Sequence, residues 1–463
     1  MKKIFWVLIL LIIVLIGTGS GGYYIYSTVI DTNTFYEGIK IEDYPMGGRT
    51  KAEGLDYIKG EKEKEIANSS MMLIYDGIPY DELGLGDIGY SFDYDRAIDK
   101  AYNLGREGNI VRRYKAIKDI KKNGVTISLE PKYHRDKLSE VVENISKDLY
   151  IESKDAIFDF NNGNISIKPE EAGRRVNGEQ LSKLIEENMD RLEEISIPME
   201  VIEPKYTKEY YSKINGIIGE FSTSFKNSGE GRKKNIRLSA NAFDGKIVHP
   251  GEDISYNDTT GPVQKKFGYE EAPVIIEGEL IPGIGGGVCQ TSTTLYNALL
   301  LADLTILERH PHSIPPNYVN KGQDAAIATG YLDLKFKNDF DYPIYISSKV
   351  VGDRVYFYIY GDKASRDYTV KIQPEITQSI EYKVHEELDT NLPAGSKELV
   401  RQGRNGYKVK TYKSIIKDGK VIDKKQITGD YYRERDYIYK IGPEEKPVVH
   451  EETEAPIPKN PLE

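Results

Sequence analysis

The only cysteine of the chain, Cys289, marks the part of the sequence whose residues are best suited to chemistry. It lies in the segment GIGGGVCQTSTTLYNALL, residues 283–300, directly after a run of glycines. Glycines allow backbone conformations with positive φ and leave open space above the chain. The apolar spacing that follows predicts a helix, with Thr291 or Ser292 as its cap. Cys289 is therefore expected at the N-terminus of this helix.

A thiol in that position is suited to nucleophilic chemistry. The free N–H groups and the positive end of the helix dipole favour a thiolate over a thiol. The same N–H groups are suited to holding a developing oxyanion in an open cleft. The residues that we expect to form this cleft are Gly286, Gly287, Gln290 and Thr291.

A thiol nucleophile also needs a neighbouring base, and the base needs a group that orients it. The segment RHPHS follows a predicted strand at residues 304–308 and contains His310 and His312. Alternation along an extended chain puts both histidines on one side, so either one is a candidate base. Asp324 or Asp333 is the candidate orienting group, and Asp324 is our choice. The predicted order is Cys, His, Asp.

Two other interpretations of Cys289 and the two histidines remain open. Glycine runs often mark only a tight turn from strand to helix, and cysteine is among the residue types most often buried, so Cys289 has a purely structural interpretation. A zinc site made of Cys289, His310 and His312 has enough ligands, but the spacing matches no common closed pattern. We therefore expect no metal and no cofactor.

Composition limits the function further. The chain has 463 residues, a net charge of −10 and 39% hydrophobic residues, which indicates several ordinary soluble domains and excludes a polytopic membrane protein. No global positive field is present to recruit nucleic acid, so we expect no nucleic-acid partner.

The most apolar segment lies at the start of the chain. Two lysines precede an uncharged run at residues 4–30 that is long enough to cross a membrane. The positive-inside rule leaves the lysines in the cytoplasm and puts the rest of the chain outside the cell. A cleaved signal peptide is the alternative, although no clear Ala-x-Ala site is present. We expect an uncleaved, single-pass membrane anchor.

The rest of the sequence predicts a multidomain α+β protein. Similar helix entries after Gly89 and Gly173, capped by Asp93 and Asn177, predict two copies of a small α+β module. Alternating strands with glycine-rich turns predict a C-terminal β module, and an acidic, proline-rich end predicts a disordered tail. The expected division is 1–31 for the anchor, 32–115 and 116–205 for the modules, 206–365 for the cysteine domain, 370–442 for the β module and 443–463 for the tail.

Several of these segments resemble a known family, the VanW family, which is named for a gene in vancomycin-resistance clusters. The resemblance spans about residues 206–345 and is carried by GIIGEFSTSF, NIRLSANAFDGKIVHPGEDISYN, GIGGGVCQTSTTLYNALLLADLTILERHPH and GYLDLKFKN. It implies an association with the cell envelope and a VanW domain that is α+β. Residues 32–205 resemble the peptidoglycan-binding repeats that precede VanW domains, and residues 370–442 resemble a G-five domain.

The sequence predicts a membrane-anchored, extracellular protein that binds peptidoglycan or another wall polymer. Non-catalytic wall binding or scaffolding is the favoured function. The alternative is a thiol enzyme that transfers or hydrolyses acyl groups of peptidoglycan peptides, with Cys289 as nucleophile and His310 or His312 as base. The exposure of Cys289, and its distance from a histidine, distinguish the two.

Overall fold

The fold was analysed in a computed structural model that describes residues 2–161, 163–276 and 279–444. The α-helices are α1 (Lys2–Ile25), α2 (Lys51–Ala67), α3 (Tyr94–Asn103), α4 (Ile110–Asn123), α5 (Arg135–Asp148), α6 (Gly178–Asn188), α7 (Lys208–Ser212), α8 (Glu230–Asn241), α9 (Tyr256–Thr260) and α10 (Val288–Ala302).

The strands are short in the first half of the chain and longer in the second half. They are β1 (Ile39–Ile41), β2 (Tyr44–Pro45), β3 (Ser70–Tyr75), β4 (Ile78–Gly84), β5 (Ser91–Phe92), β6 (Val125–Ile127), β7 (Pro131–Lys132), β8 (Ile157–Asn161), β9 (Asn164–Lys168), β10 (Gly173–Val176), β11 (Ile195–Ser196), β12 (Met199–Ile202), β13 (Gly216–Ser224), β14 (Lys246–Val248), β15 (Asp253–Ser255), β16 (Glu271–Ile276), β17 (Glu279–Ile284), β18 (Thr305–Glu308), β19 (Lys335–Lys337), β20 (Ile344–Val351), β21 (Arg354–Gly361), β22 (Thr369–Ile380), β23 (Val384–Leu388), β24 (Lys397–Arg401), β25 (Gly406–Lys417), β26 (Lys420–Tyr432) and β27 (Tyr437–Ile441).

The N-terminal segment forms helix α1, which a π-helical turn at Tyr26–Ile30 continues. Among the residues that the structure describes, no helix has both the length and the hydropathy needed to cross a membrane. The anchor at residues 4–30 stays a prediction. The predicted tail lies outside the described residues from residue 445 onward.

The described chain divides into two compact units. The first runs to Lys154 and resumes at Glu171–Lys205, and the second contains Asp155–Glu170 and the described chain from Tyr206 onward. The hairpin β8–β9 therefore belongs to the second unit, although the sequence analysis assigned it to an N-terminal module. Phe160 explains this, because its ring packs 4.7 Å from Tyr345 and 5.0 Å from Tyr360 on the main sheet of the second unit.

The first unit has two hydrophobic cores that interleave along the chain. One core contains Ile39 and Ile117, and the other contains Leu73 and Ile195. Parallel pairing joins distant segments within each core, β1 with β6 and β3 with β11. The expected boundary at residue 115 falls inside α4, so the structure does not divide this region into consecutive halves.

The predicted helix entries are present in this unit. Asp93 caps α3 by accepting a hydrogen bond from the Arg96 N–H, and Asn177 caps α6 by accepting one from the Gln180 N–H. The two helices contribute to different cores, since α3 supplies Ile98 to one and α6 supplies Leu181 to the other.

The second unit is built on an antiparallel sheet in the order β13-β21-β20-β14. Helix α10 lies against β13, and Gly219 makes the close approach possible because a Cβ there would lie 2.4 Å from the Ala298 carbonyl oxygen. Every residue of α10 except Cys289 and Leu301 is buried. Strands β15, β18 and β19 form a second sheet beside the helix.

The C-terminal part of this unit is a β module, as predicted from its alternating pattern. Two three-stranded sheets form it, in the orders β22-β25-β26 and β23-β27-β24. A turn at Asp418 and Gly419 joins β25 to β26, and both residues have positive φ, 50° and 73°. The mixed α+β class of the whole chain agrees with the sequence analysis.

Candidate active site

The glycine run sets the entry into α10. Gly287 precedes the helix with a φ of 110°, and a Cβ at Gly286 would lie 2.5 Å from the Pro273 carbonyl oxygen. The helix begins at Val288, so Cys289 is its second residue. The predicted cap at Thr291 or Ser292 is wrong, because glycine makes the turn and both hydroxyl residues lie inside the helix, where the Ser292 hydroxyl bonds to the Ala325 carbonyl.

Cys289 occupies the first turn of α10 and is only half-buried. Its thiol donates to the carbonyl of Ile327 at 3.5 Å. Burial by itself would raise the pKa of the thiol, but a hydrogen bond to His312, the His312 charge and the nearby Arg232 charge hold the pKa below its ordinary value. The site therefore favours the thiolate form of Cys289 more than a free cysteine does.

His312 is buried beside this thiol. One oxygen of Asp324, Oδ2, accepts from the His312 backbone N–H at 2.7 Å and pairs with the ring nitrogen Nδ1 at 2.6 Å. Since Nδ1 is engaged, Nε2 is the ring nitrogen left for Cys289. Burial opposes a charged ring, yet the hydrogen bonds to Asp324 and Cys289 raise the pKa of His312 to about 9.

Asp324 is completely buried and is held as a carboxylate. Burial would raise its pKa, but the hydrogen bond and charge of His312, together with the charge of Arg309, keep the pKa below its usual value. Arg309 contributes two contacts, donating Nη2 to the Asp324 carboxylate at 3.2 Å and Nε to the Asp324 carbonyl at 2.6 Å.

The structure brings together Cys289, His312 and Asp324, and it places the other candidates elsewhere. His310 pairs its Nε2 with Glu308 at 3.1 Å, and two-fifths of its side chain is exposed. Asp333 binds Ser255 and the Asn257 N–H. Within the described ranges, no three His, Cys, Asp or Glu side chains are arranged to hold a metal ion.

The expected oxyanion donors are only partly available. The N–H of Gln290 is bonded to the Gly287 carbonyl at 3.0 Å, and the N–H of Thr291 points to the same carbonyl at 3.4 Å. The Gln290 side chain is engaged with Thr223 and Arg232. In the part of the chain that the structure describes, the backbone N–H groups of Gly286, Gly287 and Cys289 have no acceptor, so they are the donors left for an oxyanion, and that of Cys289 lies on the nucleophile itself.

Sequence reasoning missed four residues of this site. Arg232 donates Nη2 to the Gln290 side chain at 2.8 Å, and its charge lowers the pKa of Cys289. Tyr318 has a raised pKa, caused by burial and by the charge of Cys289. Arg309 carried the one available signal, since it stands directly before the two histidines. The fourth residue, Tyr432, donates its hydroxyl to the Asp324 carboxylate from strand β26.

The arrangement is that of a nucleophile, a base and an orienting acid. Asp324 fixes the ring of His312, the ring faces the Cys289 thiol, and a backbone N–H is free beside the sulfur. Such a set supports covalent acyl transfer through a thioester. The reaction needs no cofactor, because the thiolate supplies the electron pair and the imidazole carries the proton.

Three protein families match separate parts of the chain. The family described as "VanW like protein" matches residues 231–360, which include the three residues of the site. The family described as "Putative peptidoglycan binding domain" matches residues 82–196, across the expected boundary between two modules. The G5 domain family matches residues 372–444.

Two curated relatives are similar to part of the chain. YoaR of Bacillus subtilis (strain 168) is 38% identical over 167 residues, which are 36% of this chain and 55% of YoaR. The vancomycin B-type resistance protein VanW of Enterococcus faecalis (strain ATCC 700802 / V583) is 32% identical over 133 residues, 27% of this chain and 48% of VanW. The chain thus spans about half the length of the curated relatives it matches.

Two solved structures are similar to a small part of the chain. The crystal structure of HP0197-G5 is 26% identical, with 17% of this chain and 100% of that chain covered and a TM-score of 0.12. The IgA1 protease G5 domain is 12% identical, with 18% and 98% covered and a TM-score of 0.14. The family matches and the two curated relatives show that the chain carries a VanW domain between a putative peptidoglycan-binding domain and a G5 domain, and that it is a homologue of YoaR and VanW.

Proposed function

We propose that the protein is a thiol-dependent acyl transferase of the cell wall that acts on the peptides of peptidoglycan. The observation that carries the proposal is the contact of a half-buried Cys289 with His312, whose ring Asp324 orients. This geometry favours the enzyme over the non-catalytic wall-binding function, since a structural cysteine would be deeply buried without a histidine partner. The adjoining domain matched to peptidoglycan binding supplies the substrate class.

The proposed reaction has two halves. The Cys289 thiolate attacks a peptide carbonyl carbon, and the N–H of Cys289 donates to the resulting oxyanion. The C–N bond breaks while the His312 imidazolium gives its proton to the leaving amine, which leaves a thioester on Cys289. An acceptor amine or water then attacks the thioester, His312 takes the proton of the acceptor, and Cys289 leaves as a thiolate, which restores the starting thiolate and imidazolium. An amine acceptor forms a new cross-link, and water releases a free acid.

Labelling of the intact protein tests the site first. Iodoacetamide should modify native Cys289 at a lower pH than it modifies a free thiol, because the lowered pKa of Cys289 maintains more thiolate there. His312→Ala should slow the labelling by about tenfold for each unit by which the thiol pKa rises. His310→Ala is the matched control and should label as the wild type does, because His310 pairs with Glu308. Labelling that requires denaturant in the wild type contradicts the proposal.

Product analysis tests the reaction. Peptidoglycan peptides incubated with the intact protein should give acyl-exchange or hydrolysis products in mass spectra, and Cys289→Ser should abolish them. If the products are absent while the protein still sediments with sacculi, the function is wall binding without catalysis. Sedimentation of Cys289→Ser at the wild-type level would show that binding and chemistry are separate.

We also propose that residues 4–30 hold the protein at the membrane with its bulk outside the cell. The support is the uncharged run behind two lysines, which fits a span with its positive end in the cytoplasm. N-terminal sequencing of the mature protein distinguishes an uncleaved anchor from a cleaved signal peptide. A start near residue 2 supports the anchor, and a start between residues 20 and 27 shows a cleaved signal peptide.

A further inference from the structure

The C-terminal β module reaches into the site through one strand. Strand β26 ends at Tyr432, and both Asp430 and Tyr432 are buried against residues of the VanW domain. The module and the triad belong to the same compact unit. A freely tethered binding module would have no reason to bury polar side chains at this place, since burial of polar groups is costly unless they are bonded.

The hydroxyl of Tyr432 both accepts and donates a hydrogen bond. The oxygen accepts the Gly322 N–H at 2.7 Å, and the hydroxyl donates to Oδ1 of Asp324. A second strand of the module reinforces the contact, because the Thr411 hydroxyl donates to the Gly322 carbonyl at 2.9 Å. The module therefore holds the loop that carries Asp324 as well as the carboxylate itself.

The two oxygens of Asp324 have separate partners. Among the residues that the structure describes, Oδ2 bonds only to His312, through its backbone N–H and its ring nitrogen Nδ1. Oδ1 receives Tyr432 and Arg309, and Arg309 in turn donates to Asp430 of the module at 2.5 Å. The contacts that fix the rotation of the carboxylate therefore come from Tyr432 directly and from Asp430 through Arg309.

We infer that Tyr432 is a positioning residue for the triad, and that the G5 module is a structural part of the catalytic unit. The inference rests on the proposed function, since it assigns Tyr432 a role in keeping Asp324 aimed at His312. The hydroxyl touches neither the thiol nor its substrate. Its effect passes through Asp324 and His312 to the thiolate on Cys289.

The test is Tyr432→Phe in the intact protein. Phenylalanine keeps the buried ring and removes only the donor to Oδ1. With the carboxylate less firmly held, the imidazolium is less stabilised, and the pH at which Cys289 becomes reactive toward iodoacetamide should move upward. The turnover rate on peptidoglycan peptides should fall by about tenfold with KM unchanged, as expected for loss of a hydrogen bond to a charged group.

Tyr431→Phe is the matched control. It removes the hydroxyl of the adjacent residue, which is exposed and bonds Glu434 at 2.8 Å, and should leave the labelling profile unchanged. Asp430→Asn is the second variant, because it releases Arg309 from the module and should also move the profile upward. If Tyr432→Phe fails to fold, the labelling profile of Asp430→Asn tests the positioning role by itself.

Different results would overturn the positioning role of Tyr432 and the proposed enzyme. Wild-type labelling profiles in both Tyr432→Phe and Asp430→Asn, with His312→Ala still impaired, overturn the positioning role and leave the proposed enzyme intact. Loss of the His312 effect itself overturns the proposed function. A shifted profile in a folded Tyr432→Phe variant, shown by an unchanged near-UV spectrum, supports the inference.

Discussion

The carboxylate of Asp324 holds His312 by two of its nitrogens, the backbone N–H at 2.7 Å and the ring Nδ1 at 2.6 Å, through the same oxygen. The backbone contact fixes where the residue lies, and the ring contact fixes which nitrogen faces the thiol. Because Asp324 carries a negative charge in a buried place, it also stabilises the protonated ring. One side chain thus controls the position, the tautomer and the charge of the base.

The first prediction is a bell-shaped dependence of acyl transfer on pH. As pH falls through the lowered pKa of Cys289, the thiolate is protonated and the rate declines. As pH rises through about 9, His312 loses the proton that the leaving amine requires, and the rate declines again. The two limbs belong to the coupled pair rather than to single residues. Initial rates between pH 5 and 10.5 measure both limbs.

The raised pKa of His312 has a matching effect on stability. A proton held more tightly in the folded state stabilises the fold, and this contribution is complete below the ordinary value of 6.5 and is lost as pH rises through about 9. The free energies of unfolding of the wild type and of His312→Asn should therefore approach each other over that interval.

For the pH dependence of acyl transfer, a rate that stays flat above pH 10 would show that His312 is not the acid.

The second prediction concerns Arg309, which lies buried between Asp324 and Asp430. Arg309→Met leaves the buried Asp430 without its counter-charge and Asp324 with His312 alone, and it should lower the free energy of unfolding by about 3–5 kcal/mol. Lys417→Met is the control, since its pair with Asp367 is exposed and screened by solvent, so this variant should change the free energy of unfolding little. Denaturant titration measures both, and equal losses would refute the structural role of the buried pair.

The third prediction concerns Gly219, where β13 meets α10. A Cβ at this position would lie 2.4 Å from the Ala298 carbonyl oxygen and 2.5 Å from the Ala302 nitrogen, so Gly219→Ala must push the strand and the helix apart. We expect a loss of about 1–3 kcal/mol and slower labelling of Cys289, which lies on the same helix. Gly429→Ala is the control, because its Cβ meets only the Gln426 amide at 3.4 Å. A Gly219→Ala protein as stable as this control would contradict the packing argument.

The fourth prediction tests the assignment of the β8–β9 hairpin to the second unit. Phe160 packs on Tyr345 and Tyr360 of the main sheet, so Phe160→Ala should destabilise the second unit by about 2–4 kcal/mol. Ile157→Ala changes an exposed residue of the same hairpin and should have little effect. Hydrogen exchange resolved by segment shows which unit responds. A loss of protection confined to the first unit would be the opposite result.

Part of the site could be predicted from local sequence. The glycine run and the helix after it indicated the environment of Cys289, and the RHPHS segment contained the base. Alternation could not choose between His310 and His312, because the chain leaves the regular strand at Glu308 and a later segment returns to pair Ala326 with His310. That return buries His312 on Asp324 and leaves His310 beside Glu308.

The partners of Asp324 had no such local signal. Tyr432 is 108 positions away from Asp324, in a region whose own pattern predicted a separate module. The same limit applies to the interleaved cores of the first unit, since parallel pairs such as Leu73 with Ile195 leave no mark on local periodicity. Helix caps were predictable because Asp93 and Asn177 act within three residues of themselves.

The placement of the β8–β9 hairpin also bears on how such proteins can exchange parts. The chain passes from one unit to the other at Lys154, at Glu170 and at Lys205, so neither unit is encoded by one uninterrupted stretch. A recombination event that joined a gene fragment beginning at residue 206 to a foreign N-terminal region would leave behind the segment that contributes Phe158 and Phe160 to the aromatic cluster around Tyr345. The second unit would therefore keep its full aromatic cluster only if the hairpin were transferred together with the chain from residue 206 onward.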